Sequence, residues 1–174
     1  MKNIITTWIL LTFFFIPLSA GNLDPQKLSE IRSVLSGTRH LEDLSELKKN
    51  LEIYEADPSP YLIAIIQESG TRVYIRTRAL NLLQFYPSET NSQFLESKIS
   101  ANNEHESVRK FAIRSYAISQ KGQISKVETF LGKYRYDSSL GSFVNRTLKE
   151  FSSNHTLEKE NTSKRQIDRS NVKK

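Results

Sequence analysis

Arg76 and Arg109 each stand behind a branched apolar residue (Ile75, Val108), the second at a shift of 33 from the first, and Arg114 and Arg146 form another pair at a shift of 32. A planar guanidinium binds carboxylates and phosphates with two parallel hydrogen bonds. Two rows of such groups, with Lys110 and Lys98 nearby, can therefore grip acidic protein segments or phosphate-bearing groups. The competing expectation is structural. In it, Arg114 and Arg146 sit on a solvated helix face, an ordinary place for charge.

No other residue set has the spacing of a reaction centre. His40, His105 and His155 are far apart and have no histidine at i+3 or i+4, so neither zinc-ligand nor proton-relay spacing occurs. Carboxylates gather in 42–55 and 104–106, and Glu46/Lys49 and Glu52/Glu55 read as solvated helix faces. Gly-x-Ser-x-Gly, His-Glu-x-x-His and phosphate-cradling glycine loops are absent, and six glycines leave little chain for active-site loops. No catalytic residue, metal or cofactor is expected. Phe94, Phe111, Tyr116, Phe130 and Phe143 fit core stripes before they fit a binding platform. Tyr134, Arg135 and Tyr136 share a turn, where they either form a small recognition patch or pack the corner between helices. The sequons at Asn145, Asn154 and Asn161 matter only in a eukaryotic secretory pathway.

One end of the chain has the pattern of an address. Lys2 precedes Ile4–Ile16, an apolar run broken only by Thr6, Thr7 and Thr12, and then come Pro17 and Leu18-Ser19-Ala20. Basic start, short apolar stretch and small residues are the three parts of a secretory signal peptide, with cleavage expected after Ala20 or Gly21. A spanning helix needs about 20 apolar residues, so the stretch is too short to anchor comfortably, and no membrane span is expected after processing. Export to a periplasm or to the medium follows as an expectation. The chain left after removal of 1–20 suffices for one domain with a core. With no cysteine, packing alone must hold that core, without disulfides or a cysteine-linked lipid. The formal charge of +6 divides into Lys2, a net +3 over 152–174 and a net +2 over 21–151. That mild excess is unlike a dedicated nucleic-acid binder.

The elements that must position the arginines are helices. Asp24-Pro25 opens the first, Leu28, Ile31 and Leu35 recur at helical spacing, and Ser36-Gly37 stops it. A stripe of Leu41, Leu44, Leu47, Leu51 and Tyr54 predicts the second. After Asp57-Pro58-Ser59-Pro60, helices are predicted over 60–69, 72–86, 90–101, 106–119, 123–135 and 138–151. Short polar turns at Asn102-Asn103, Lys121-Gly122 and Tyr136-Asp137 require antiparallel neighbours. Residues 152–174 hold only Leu157, Ile167 and Val172 as apolar residues, too few to offset ordering entropy, so a disordered basic tail is expected.

These helices repeat. Ile75-Arg76-Thr77-Arg78-Ala79-Leu80 overlays Val108-Arg109-Lys110-Phe111-Ala112-Ile113 at a shift of 33, and Leu140–Asn145 follows at 32, with Gly141 where the arginine would stand. Leu62 and Ile66, Leu95 and Ile99, and Val127 and Leu131 precede those second-helix segments at constant intervals. A helix, an acidic turn (Asn102–Ser107), a branched apolar residue, arginine and alanine resemble the second half of a HEAT-like repeat. The resemblance is clearest in 91–119, weaker in 60–86 and weakest in 121–151. It implies an all-α fold, a short right-handed α-α superhelix of antiparallel helix pairs, used in that family mostly as a protein-binding scaffold and in a few members with cofactors such as bilins. It also implies that Arg76 and Arg109 hydrogen-bond neighbouring repeats, as the arginine at that position of the family often does. The expected organisation is a signal peptide (1–20), a capping helix pair (21–56), three HEAT-like pairs (57–151) and the tail (152–174). The leading functional expectation is a non-catalytic interaction module with a protein partner, its candidate surface Arg76, Arg109, Lys110, Arg114 and Arg146. A peripheral binder of anionic envelope or membrane surfaces through the tail is the alternative, and a helical-repeat lyase-like enzyme is the least favoured.

Overall fold

A computed structural model describes residues 23–37 and 43–153. The expected signal peptide 1–20, most of the expected tail, and His40 and His155 lie outside the described residues. Among those residues the protein is all-helical, with no strand. Seven helices are α1 (Pro25–Gly37), α2 (Leu44–Glu52), α3 (Ser59–Gln67), α4 (Val73–Leu83), α5 (Glu89–Ser100), α6 (Glu106–Ser119) and α7 (Ile124–Gly132). An eighth, α8, covers 141–153.

Local chemistry explains most of the starts. Asp24, Asp43, Asp57 and Asp137 each accept a hydrogen bond from the backbone N–H two residues on (Gln26 at 2.8 Å, Ser45 at 3.0 Å, Ser59 at 3.0 Å, Ser139 at 2.9 Å). The first three thereby satisfy a donor that the first helical turn leaves without a partner, and Asp137 does the same for the turn that leads into α8. Ser88 Oγ caps α5 by accepting from Asn91 N at 3.1 Å, and His105 Nδ1 caps α6 by accepting from Ser107 N at 3.2 Å. Gly70, at φ +84°, turns the chain between α3 and α4 in the left-handed region that suits glycine.

Two places depart from the predicted boundaries: α4 stops at Leu83 rather than 86, and the last pair shifts at its inner ends. α7 stops at Gly132 rather than 135, and α8 begins at 141 rather than 138. Between them the chain tightens into i→i+3 turns, with Tyr134 N donating to Leu131 O at 2.9 Å and Asp137 N to Tyr134 O at 3.1 Å. Asp137 then holds the N–H groups of Ser139 and Leu140, both at 2.9 Å, ahead of the first turn of α8. At the other end α8 continues through Ser152 and Ser153, past the expected start of the tail. Ser153 Oγ donates back to Lys149 O at 2.8 Å, a local bond that keeps a polar residue in the last turn.

The core follows the repeat register. Leu62, Leu95 and Val127, then Ile66, Ile99 and Leu131, are buried on the first helices of successive pairs. Ile75, Val108 and Leu140, and Ala79, Ala112 and Val144, are buried on or just before the second helices. Each buried Leu, Ile or Val stabilises the fold by about 1.5–3 kcal/mol relative to exposure. α6 packs against both α4 and α5, and α3 against α4. α4 and α6 are joined directly, Ser115 Oγ on α6 donating to Leu80 O on α4 at 2.7 Å. α1 packs on α3 and α4. It is tied there by Arg78 Nη1 donating to Leu35 O at 2.6 Å and by the Arg32–Glu68 pair at 2.6 Å. Arg78 occupies the repeat position of Phe111, so this apolar position carries a cation that the carbonyl end of α1 favours.

Candidate functional site

Arg76 and Arg109 face inward. Arg76 Nε donates to Ile66 O at 3.0 Å, and Arg109 Nε donates to Ile99 O at 2.9 Å, in both cases a carbonyl near the end of the preceding helix. Each guanidinium then meets a carboxylate from the turn inside the next helix pair. Arg76 pairs with Glu104, and Arg109 Nη2 lies 3.8 Å from Asp137 Oδ2. Arg109 is only 6 % exposed. Neither group belongs to an outer row. They are ties between successive helix pairs, because second-helix side chains at this position lean over the carbonyl end of the preceding helix. The acidic turn 102–107 is visible in the sequence, but nothing local in it names Arg76 as the partner of Glu104.

Lys110, Arg114 and Ile118 form an i, i+4, i+8 stripe on α6, and Val108, Ala112, Ile113 and Tyr116 bury the opposite side. Arg114 is exposed, and Ile118 is 42 % exposed. α8 faces this stripe with Phe143, Arg146, Glu150 and Phe151. Together the two helices enclose a groove of about 400 Å³ lined by Arg114, Ile118, Phe143, Arg146, Glu150 and Phe151. Lys110 Nζ lies 6.0 Å from the centre of the Phe143 ring, and Arg146 Cζ lies 5.2 Å from it. Both distances are within range of a cation–π attraction. Lys110 is also paired with Glu106 on its own helix. Among the described residues Arg114 has no carboxylate partner, and Arg146 has the Phe143 ring as its contact. The groove thus unites two of the five sequence-predicted residues, Arg114 and Arg146, with Lys110 beside it over the Phe143 ring, and leaves out Arg76 and Arg109.

Its apolar members were not legible as a surface. Phe143 reads as core, and it is in fact half-buried against the core while also lining the groove. Ile118 lies one helical turn beyond Arg114, a spacing that could have marked it as part of the same stripe. The turn residues divide. Tyr134 packs edge-on against Phe130 with ring centres 5.8 Å apart and shares a 2.7 Å hydrogen bond with Ser100 Oγ, whereas Tyr136 is 97 % exposed.

A second hollow of about 440 Å³ includes Arg32, Ser36, Glu68, Arg72 and Tyr74, and there Glu68 already holds the Arg32 guanidinium at 2.6 Å. Burial, with Glu96 nearby, pushes the Tyr116 phenol up, and burial with Glu52 nearby does the same to Tyr86, so both stay protonated at neutral pH. Among the described residues no group of three metal-ligating side chains occurs, and no helix is long and apolar enough to cross a membrane. Comparison with family models, curated proteins and solved structures returned no match.

Proposed function

We propose that this protein is a non-catalytic interaction module that works in an exported compartment, a short right-handed HEAT-like stack whose second helices hold a protein partner. The observation that carries the reading is the α6–α8 groove, where cations without carboxylate partners among the described residues border partly exposed apolar side chains. Surfaces of that mixture suit protein partners, with an apolar centre supplying contact area and a charged border setting orientation. The packing supports a curved stack. α4 and α6 pack closely, while α3 and α5 have no comparable contact, a difference that favours a bend with the second helices on its inner side. The arginine ties of Arg76 and Arg109 support the HEAT-like assignment from inside, and residues 1–20 support export.

Site-specific photo-crosslinking tests the reading. A benzoylphenylalanine replaces either Ile118 on α6 or the exposed Gln93 on α5, and each chain is irradiated in the exported fraction. Discrete adducts from position 118 and none from 93 are expected. No adduct at 118, or the same adducts at both positions, would sink the interaction reading.

A further inference from the structure

Resting on that reading, we infer that the α6–α8 groove accepts an acidic peptide segment carrying at least one large apolar side chain. Charge gives the sign of the partner. The cations on or beside the groove are Lys110, Arg114, Arg146 and Lys149, with Glu106 and Glu150 as the neighbouring carboxylates. Glu106 neutralises Lys110. Arg114 has no carboxylate among the described residues, and the Arg146 guanidinium lies over the Phe143 ring. Two forked donors flanking one groove present the geometry that carboxylates fill. The hollow beside Arg32 shows the contrast, since Glu68 there already balances the charge of that guanidinium.

The floor gives the second requirement. Ile118 is 42 % exposed, and Phe143 and Phe151 are half-buried and line the same volume. An anion alone does not need an apolar floor, whereas a leucine or phenylalanine side chain gains by covering one. A volume of about 400 Å³ has room for a few side chains rather than a domain face. Stacking on Phe143 also holds Arg146 in place before a partner arrives, which lowers the ordering cost of binding.

Glu150 decides against the simpler polyanions. A carboxylate inside the groove repels a continuous sheet of phosphate head groups. It is tolerated by a peptide whose acidic residues sit opposite Arg114 and Arg146 only. Residues 152–174 of this chain, at net +3, have the wrong sign to be the occupant.

The test is selection of a random peptide display library against the chain purified from the exported fraction, in parallel with an Arg114→Glu/Arg146→Glu variant whose helical content is checked by circular dichroism. Both positions are exposed, so the variant should fold. Enriched peptides should carry Asp or Glu around Leu, Phe or Trp. Labelled copies should bind the double variant and an Ile118→Asp variant at least about tenfold more weakly. The inference is overturned if nothing is enriched, if enriched peptides lack acidic bias, or if their binding is unchanged in R114E/R146E. It is also overturned if phosphatidylglycerol vesicles or a second copy of the chain, rather than the peptides, show the arginine dependence. A partner cross-linked at position 118 that persists in R114E/R146E removes this inference and leaves the interaction reading standing. Absence of any adduct from position 118 in the chain with Arg114 and Arg146 intact removes that reading itself.

Discussion

At position 141 the repeat exchanges its arginine for glycine, and the reason is space. A Cβ there would stand 2.6 Å from Arg135 O and 3.2 Å from Arg135 C, atoms of a backbone turn that cannot swing aside as a side-chain tip can. Gly37, at the end of α1, has nothing within 4 Å of the same added atom. Replacing helical glycine by alanine normally gains up to about 1 kcal/mol from reduced chain entropy. Overpacking against a fixed neighbour costs about 1–3 kcal/mol. The clash therefore wins at 141 and is missing at 37. Urea denaturation should show Gly141→Ala less stable than wild type and Gly37→Ala equal or slightly more stable; the reverse order would mean that the 134–135 turn yields. The sequence displays the glycine plainly, but it reads there as a degenerate repeat, because the approach of residue 135 exists only once α7 and α8 are docked.

At the scale of elements, Arg109 and Asp137 join three helices. Arg109 on α6 donates to the last turn of α5, and Asp137 caps the entry to α8 through Ser139 and Leu140. The two side chains are 3.8 Å apart. A hydrogen bond from a charged donor contributes about 1.5–3 kcal/mol, a cap about 1 kcal/mol, and a long, partly exposed ion pair less than about 1 kcal/mol. Arg109→Ala should thus cost about 2–3 kcal/mol and Asp137→Ala about 1–2 kcal/mol. Their coupling in a double-mutant cycle should stay below about 1 kcal/mol. A coupling of several kcal/mol would show that the ion pair, not the backbone bonds, holds the helix pairs together. Helix existence was legible here from periodicity and turn residues. The ends of α7 and α8 were not, since i→i+3 turns and an aspartate cap displaced both boundaries by about three residues.

For the whole molecule, the carboxylates that link distant segments give stability one pH dependence. Burial alone would raise the Glu104 pKa. The Arg76 hydrogen bond, the His105 N–H and the charges of Arg76 and Lys98 outweigh burial and hold it below the ordinary 4.5. Asp137 lies below its ordinary value chiefly through the Leu140 and Ser139 N–H groups, with Arg109 adding to them. Lys126 lowers Glu89 across from α7 to α5. A carboxylate with a depressed folded pKa contributes stability that is complete above its unfolded value and is lost as pH falls through the folded one. The urea midpoint should therefore hold steady from neutrality to about pH 5 and then decline toward about pH 3. Glu104→Gln should be less stable at neutral pH and should lose a smaller fraction on acidification. A wild-type midpoint that stays level across that window would contradict the assignment of these links.

The sequence by itself determined the helical class, the places where the chain turns and the regular spacing of the buried positions, because capping, proline placement and helical periodicity act over a few neighbouring residues. Tertiary structure alone decided which cations are internal and which are open. Arg76 and Arg109 are identical in local context to a surface arginine until the carbonyls of Ile66 and Ile99 and the carboxylates of Glu104 and Asp137 come into reach. Arg114 and Arg146 come to line one groove only because α8 docks beside α6 and brings Phe143 between Lys110 and Arg146. The open face of a helix is whatever its neighbours leave uncovered, and that depends on contacts between residues far apart in the chain.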